Sequence, residues 1–287
     1  MDLDPIDGFL AIGAHCDDVD LRMGGTFSRL VREGKRGCYV VAVENAYVGD
    51  HYTVESSREA LNTRRKESTR ASEILGADRL EWLTFKSYYF STPEPGSVIY
   101  PSFDSPESVQ EELRDAIFEG LPPLANAQCF ARCRRRLRKL IEEFAPDVIF
   151  THSPDDRHCD HYGIARFVDY MIGEMEAEGA APEVLFWEPG SGGPIAGYHP
   201  DFFVEISEED VRTKQKAIES YGSQFAEGVL DGFAAGRAQA WGEMAGVQYA
   251  EPFRHRCREK NDWDGRSKMF GVIKRDQDPE KEVYDLP

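Results

Sequence analysis

The chain has 287 residues, is 41% hydrophobic and carries a formal net charge of -18. That size suits one large α/β domain with insertions, and no apolar run approaches the roughly 20 residues of a membrane helix. So acidic a surface field repels nucleic acid and anionic lipid, which excludes both as partners and favours a neutral or cationic small-molecule substrate.

The N-terminus, Met1-Asp2-Leu3-Asp4-Pro5, lacks the basic-then-apolar pattern of a signal peptide, so a soluble, cytoplasmic protein is expected. Residues 8–14 form a short apolar run that reads as a buried strand. A helix is expected from Met23 to Gly34, with Phe27, Leu30 and Val31 on one face. Cys38 to Val43 reads as a second strand, and Cys38 as a buried free thiol. Arg64 to Leu75 is helical and stopped by Gly76. Leu80 to Phe85 is a third strand. Residues 88–127, with Tyr88, Tyr89, Phe90 and Tyr100 among many prolines and carboxylates, break the pattern and read as an insertion over the active-site face. Cys133 to Phe144 is a basic helix whose arginines form a solvated face. The strand Asp147 to Phe150 follows, then a helix from Asp160 to Glu178. Val184 to Trp187 and Phe202 to Ile206 are strands, and Glu208 to Tyr221 is helical.

Alternating strands and helices predict a mainly parallel sheet covered on both faces, within a single domain over 1–287 that carries the 88–127 insertion. The six cysteines include no Cys-x-x-Cys pair and suggest no disulfide framework. Ligands of such sheets gather beyond the carboxyl ends of the strands. Two polar clusters are expected there, one at His15 to Asp20 and one at His152 to His161.

In the first cluster His15 and Asp18 stand three positions apart at a turn leaving a strand and can converge on one cation. Imidazole with carboxylate suits zinc, and also iron, cobalt or nickel. Asp17 lies between them, where a general base must sit to take a proton from an activated water. The second cluster, Asp155-Asp156-Arg157-His158-Cys159-Asp160-His161, offers a third ligand and a second imidazole. Three protein ligands leave a position open, which marks a catalytic site. A lone His-x-x-Asp arises often by chance; two clusters at strand ends of one sheet are a stronger signal.

Ala14-His15-Cys16-Asp17-Asp18 resembles the Ala-His-Pro-Asp-Asp-Glu signature of the LmbE/PIG-L de-N-acetylases. Arg157-His158-Cys159-Asp160-His161 resembles that family's Arg-His-Pro-Asp-His segment. Arg64-Arg65-Lys66-Glu67 is similar to its Arg-x-x-Glu helix. Lys216-Ala217 with Tyr221, Ser223 and Gln224 is similar to its Lys-x-x-Ala…Ser-Gln helix, and Tyr249-Ala250-Glu251-Pro252-Phe253 to its closing Tyr-Ala-Glu-x-Phe. The matches run in order from residue 8 to about residue 253.

The resemblance implies a Rossmann-like fold and metal-dependent removal of N-acetyl groups from glucosamine-containing molecules. It implies His15, Asp18 and His161 as ligands of Zn2+ or another divalent transition metal, Asp17 as base, and His158 as acid or oxyanion-stabilising group. It implies Arg64 as a substrate or second-shell residue. Cys16 and Cys159 stand where the family has Pro and read as small fillers. Val19 stands where it has Glu, which removes a hydrogen-bond acceptor that Asp20 can replace.

His152 reads as a structural histidine; Trp187 and Tyr198 read as core or as platforms for a sugar ring. An amidase acting on a thiol conjugate or another acylated amine has the same metal chemistry, and a non-catalytic metal-binding module is the contrasting class. A nucleotide-binding module is disfavoured because Gly13-Ala14-His15 is not a Gly-x-Gly-x-x-Gly turn. A homo-oligomer is compatible with the sequence.

Overall fold

The computed structural model describes residues 3, 5–44, 54–86, 90–91, 98–99, 124–190, 198–226 and 228–256. Residues 1–255 form one compact unit and 256–287 a second, of which Arg256 alone is described.

The strands are β1 (Gly8–Gly13), β2 (Arg36–Glu44), β3 (Arg79–Lys86), β4 (Phe90–Ser91), β5 (Val98–Ile99), β6 (Val148–Thr151), β7 (Glu183–Trp187), β8 (Phe202–Glu205) and β9 (Ala250–His255). The helices are α1 (Asp18–Arg32), α2 (Val54–Leu75), α3 (Ala131–Phe144), α4 (Cys159–Ala177), α5 (Glu208–Ile218) and α6 (Phe233–Ala245), with a 3-10 turn at Leu124–Cys129. Seven strands form one sheet in the order β3-β2-β1-β6-β7-β9-β8, and β4 pairs with β5 apart from it. The first five are parallel; β9 runs antiparallel to both neighbours. The expected mainly parallel α/β sheet is therefore present, with an antiparallel edge.

The strand period of two divides the core between the sheet's faces. Phe9 and Ala11 of β1 pack with Phe27, Tyr39, Phe150 and Phe253. Their neighbours Leu10 and Ile12 pack with Val40, Leu137, Ile149 and Phe167. β1 is buried throughout, which is why it reads as a continuous apolar run.

Helix boundaries depart from expectation in two places. α1 starts at Asp18 instead of Met23, and Met23 itself has non-helical φ -134 and ψ 17, a kink ahead of Gly24-Gly25. The kink frees backbone N–H groups, and the buried Glu251 carboxylate accepts from Gly25 N at 3.1 Å and Thr26 N at 2.6 Å. Lys214 neutralises Glu251 at 2.6 Å, both side chains being buried. The lysine of the late Lys-x-x-Ala helix is thus Lys214, three residues before Ala217, and not Lys216. α2 begins ten residues earlier than Arg64 and ends where Gly76 takes φ +79, as a helix-stopping glycine does.

The arginine-rich α3 is anchored on its surroundings, Arg138 on Glu178 at 2.6 and 2.9 Å and Arg136 on Thr84 Oγ1 at 2.6 Å. Cys38 is a buried free thiol. Among the described residues no helix is long and apolar enough to cross a membrane. The 88–127 insertion lies largely outside the described residues, as do His51, Tyr88, Tyr89, Tyr100 and residues 191–197.

Candidate metal centre

β1 is paired on one side with β2 and on the other with β6, so the chain leaves β1 in one direction and returns on the other side through β6. The crevice beyond two such strands is where open α/β sheets bind ligands. β1 ends at Gly13 and releases His15, Asp17 and Asp18; β6 ends at Thr151 and releases His152, Asp156, His158, Asp160 and His161. The N-termini of α1 and α4 both begin inside these clusters, so each motif is a strand end running directly into a helix.

The three expected ligands converge. His15 Nδ1 is 3.2 Å from His161 Nε2, Asp18 Oδ2 is 3.4 Å from His15 Nδ1, and Asp18 Oδ1 is 3.3 Å from His161 Nε2. Ligand atoms about 2.0–2.1 Å from a tetrahedral zinc stand roughly 3.3 Å apart, so the donor set fits such an ion. Among the described residues three donor groups have ligand atoms within 4.8 Å of one another: His15 with His158 and His161, Asp18 with His152 and His161, and His158 with Cys159 and Asp160. His161 belongs to the first two; its ring stacks on His152 at 4.0 Å and on His158 at 4.3 Å.

The remaining nitrogen of each of the two histidines expected as ligands is held by a carboxylate. Asp160 Oδ2 lies 3.1 Å from His15 Nε2, and Asp156 Oδ2 lies 2.9 Å from His161 Nδ1. Such partners fix the tautomer and aim the other nitrogen at the ion. Asp156 is itself held, accepting from His158 N at 2.9 Å and Gly190 N at 2.7 Å. The sequence reading assigned no role to either aspartate. The signal was available: every metal-bound imidazole needs a partner for its second nitrogen, and both residues lie within five positions of His161.

Burial and charge tune the cluster. Burial would depress His15, but its bonds to Asp160 and Asp18 outweigh this and raise it to about 10. Burial would raise Asp18, but the charges of His161 and His152 hold it well below the usual carboxylate range. Burial, then the charge of Asp18, pushes Asp17 up. Asp17 precedes α1 without making a side-chain cap, so its carboxylate is not spent on the helix end. His158 is pushed down to about 2, by burial first and then by the charges of His15 and His161. At that value the ring is neutral near pH 7. Its Nδ1 accepts from Asp160 N at 3.1 Å, which leaves the proton on Nε2.

Arg64 is 2% exposed and donates to Gln224 Oε1 at 2.9 Å. One turn further, Glu67 accepts from Ser223 N at 2.8 Å and Ser223 Oγ at 2.6 Å. The Arg-x-x-Glu helix thus grips the Ser-Gln turn, and its arginine charge lowers Asp17.

Cys16 is buried in the core, with its thiol pushed well above its ordinary value by burial, as a small filler would be. Val19 is likewise core. Asp20 does not replace the missing Glu beside the ligands. It accepts from Tyr39 Oη at 2.5 Å and Tyr221 Oη at 2.8 Å, and both hydroxyls also reach the Cys16 carbonyl.

His152 is fully buried and held on both ring nitrogens. Its Nε2 lies 3.1 Å from Asp18 Oδ2 while Trp187 Nε1–H donates to its Nδ1 at 3.3 Å. Trp187 is therefore core, and Tyr198, whose hydroxyl donates to the Phe186 and Pro252 carbonyls, is a strut; neither is a platform for a sugar ring. A groove of about 630 Å³ lined by Gln215, Ile218, Tyr221 and Phe225 lies elsewhere and includes none of the donors.

The model of the GlcNAc-PI de-N-acetylase family, PIG-L, matches residues 10–172, which contain both clusters. The chain belongs to this family. It is 36% identical over 221 residues to an uncharacterised deacetylase, YaiS, of Escherichia coli, covering 75% of this chain and 91% of that protein. It is 24% identical over 251 residues to the diacetylchitobiose deacetylase of Thermococcus kodakarensis, covering 85% and 81%. Its fold matches the solved structure of N,N'-diacetylchitobiose deacetylase from Pyrococcus horikoshii with a TM-score of 0.60 and 21% identity, over 88% of this chain and 84% of that one.

Proposed function

We propose that the chain is a zinc-dependent de-N-acetylase that hydrolyses the acetamide of a glucosamine-containing small molecule or glycoconjugate, releasing acetate and a free amine. The observation that carries this reading is the 3.2–3.4 Å spacing of His15 Nδ1, Asp18 and His161 Nε2 beside Asp17. Family membership and the deacetylases among its relatives support the reaction class.

His15, Asp18 and His161 would hold the ion, with Asp160 and Asp156 orienting the two rings. A divalent ion held there supplies Lewis acidity towards the amide carbonyl and acidifies water. Asp17 accepts the proton of the attacking water; burial and the Asp18 charge raise its basicity. The neutral His158 contributes a hydrogen bond from Nε2 to the oxygen that becomes negative as water adds to the carbonyl. When the C–N bond breaks, Asp17 returns its proton to the departing nitrogen. Arg64 acts through its bond to Gln224 and its field on Asp17, as a positioning residue or at the edge of the substrate site.

The test is acetate release from a panel of N-acetylated amino sugars by the zinc-loaded chain, with N-acyl amines and thiol conjugates alongside. Release from an amino sugar that disappears with chelator supports the proposal. Turnover confined to the other amides makes the chain an amidase of another substrate class. Metal binding without turnover of any amide makes it a binding module.

A further inference from the structure

Arg22 is the unexplained charge of this region. It stands four residues after Asp18 on α1, so the two share one face of the helix. Its guanidinium lies against Gly190, where a Cβ would meet Nη2 at 2.5 Å and Nε at 3.1 Å. Gly190 N in turn donates to Asp156, the carboxylate that holds His161. Arg22 therefore sits one residue away from the ligand shell.

The carboxylates around it are committed elsewhere. Glu188 is clasped by Arg237 at 2.6 and 3.0 Å and by Trp241 Nε1 at 3.0 Å. Asp156 and Asp18 are bound to the histidines. Arg22 Nε is buried and makes no hydrogen bond; burial, then the Arg237 charge, works against the guanidinium's own charge, while Asp18, Glu188 and Asp156 favour it without bonding to it. The side chain as a whole is half-buried, and a buried guanidinium nitrogen without a hydrogen-bond partner is an exception in a native fold that calls for an explanation.

We propose that Arg22 is the anion-recognition residue of the substrate site, and that the amide substrate carries a carboxylate or phosphate close to its acetamide. The proposal rests on the hydrolase reading and names its substrate class. It reverses the preference for a neutral or cationic ligand that the net charge of -18 suggests; the local field at the crevice, not the global one, faces the substrate. A guanidinium offers two parallel donors to either oxyanion, and charge-assisted bonds of this kind are the strong ones.

The experiment compares kcat/KM of the zinc-loaded full chain on N-acetylglucosamine, its 1-phosphate, its 6-phosphate and N-acetylmuramic acid. Calorimetric binding of the corresponding free amines is measured in parallel and needs no turnover. At least one anionic substrate is expected to exceed N-acetylglucosamine tenfold or more, and the identity of that substrate separates phosphate from carboxylate. Arg22→Gln should lower this ratio by about 10- to 100-fold, with Arg22→Lys retaining part of it. A neutral substrate preferred by the native chain, or a ratio unchanged by Arg22→Gln, overturns the proposal; a lowered Tm with an unchanged ratio shows a structural arginine instead. Arg22-dependent binding of an anionic amine without turnover of any amide would sink the hydrolase reading and leave this one standing.

Discussion

Asp156→Asn removes one charge from the ligand shell while keeping its shape. Asp156 serves three donors at once: His161 Nδ1 and Gly190 N on Oδ2, at 2.9 and 2.7 Å, and His158 N on Oδ1 at 2.9 Å. Asparagine has a single acceptor oxygen. Whichever way the amide turns, its NH2 faces either His158 N–H or the pair formed by His161 and Gly190. The ring of His161 loses its anchor or the start of α4 does. Outer-shell partners of metal histidines typically contribute about 10–100-fold in affinity, or about 1.4–2.7 kcal/mol. The conflict with two donors places Asp156→Asn at the upper end. Asp160→Asn, whose carbonyl can still accept from His15 Nε2, belongs at the lower end. Chelator-competition titration of zinc at constant pH gives both affinities, and the Tm of the metal-free proteins controls for general damage. Zinc affinity within threefold of the native chain for Asp156→Asn would refute the assignment of His161 as a ligand held by this carboxylate.

Asp17→Asn should keep the metal and lose about 10²–10⁴ in turnover, whereas His161→Ala should lose both, read by elemental analysis and acetate release. Lys214→Met leaves the buried Glu251 carboxylate without its cation and should cost about 3–5 kcal/mol in denaturant unfolding, most of it recovered when Glu251→Gln is added. Asp210 accepts from Arg32, Ser207 and Ser28; burial would raise it, but these bonds hold it below the usual carboxylate range. Its contribution is therefore fully present above the unfolded value of about 3.9 and is lost as pH falls through the lower folded value. Asp210→Asn should cost about 1–3 kcal/mol near neutrality, and its Tm deficit should shrink in acid.

The strands nearest the site were the most legible in sequence because β1, β2 and β6 are buried on both faces and carry uninterrupted apolar residues. α1 was read five residues short. Its first turn is Asp18-Val19-Asp20, polar for reasons of chemistry and a buried network, and the kink at Met23 interrupts its period. The first ten residues of α2 have few apolar positions with which to show a period. α6 was not recognised at all, since Phe233-Ala234-Ala235-Gly236 shows a weak stripe. β9 was seen as a motif but not as a strand, because Pro252 argues against one, although it pairs with β8 and β7. At the site, the donors were legible because each motif is local. Asp156, His152 and Arg22 were not, because their roles come from contacts across the β1–β6 crevice that no spacing encodes. Lys214 is different: the Lys-x-x-Ala spacing alone places the lysine three residues before Ala217, and the structure adds that it is buried against Glu251.

The central claim is that one divalent ion sits in that crevice on His15, Asp18 and His161. A diffraction measurement at the zinc absorption edge, on crystals of the full chain loaded with zinc, tests it most directly. The account predicts a single anomalous peak within about 2.0–2.2 Å of His15 Nδ1, an Asp18 oxygen and His161 Nε2, with Asp17 and His158 beside it and not bound. A peak bound by His152 or His158 in place of one of these three, or no peak in the crevice at all, would contradict it.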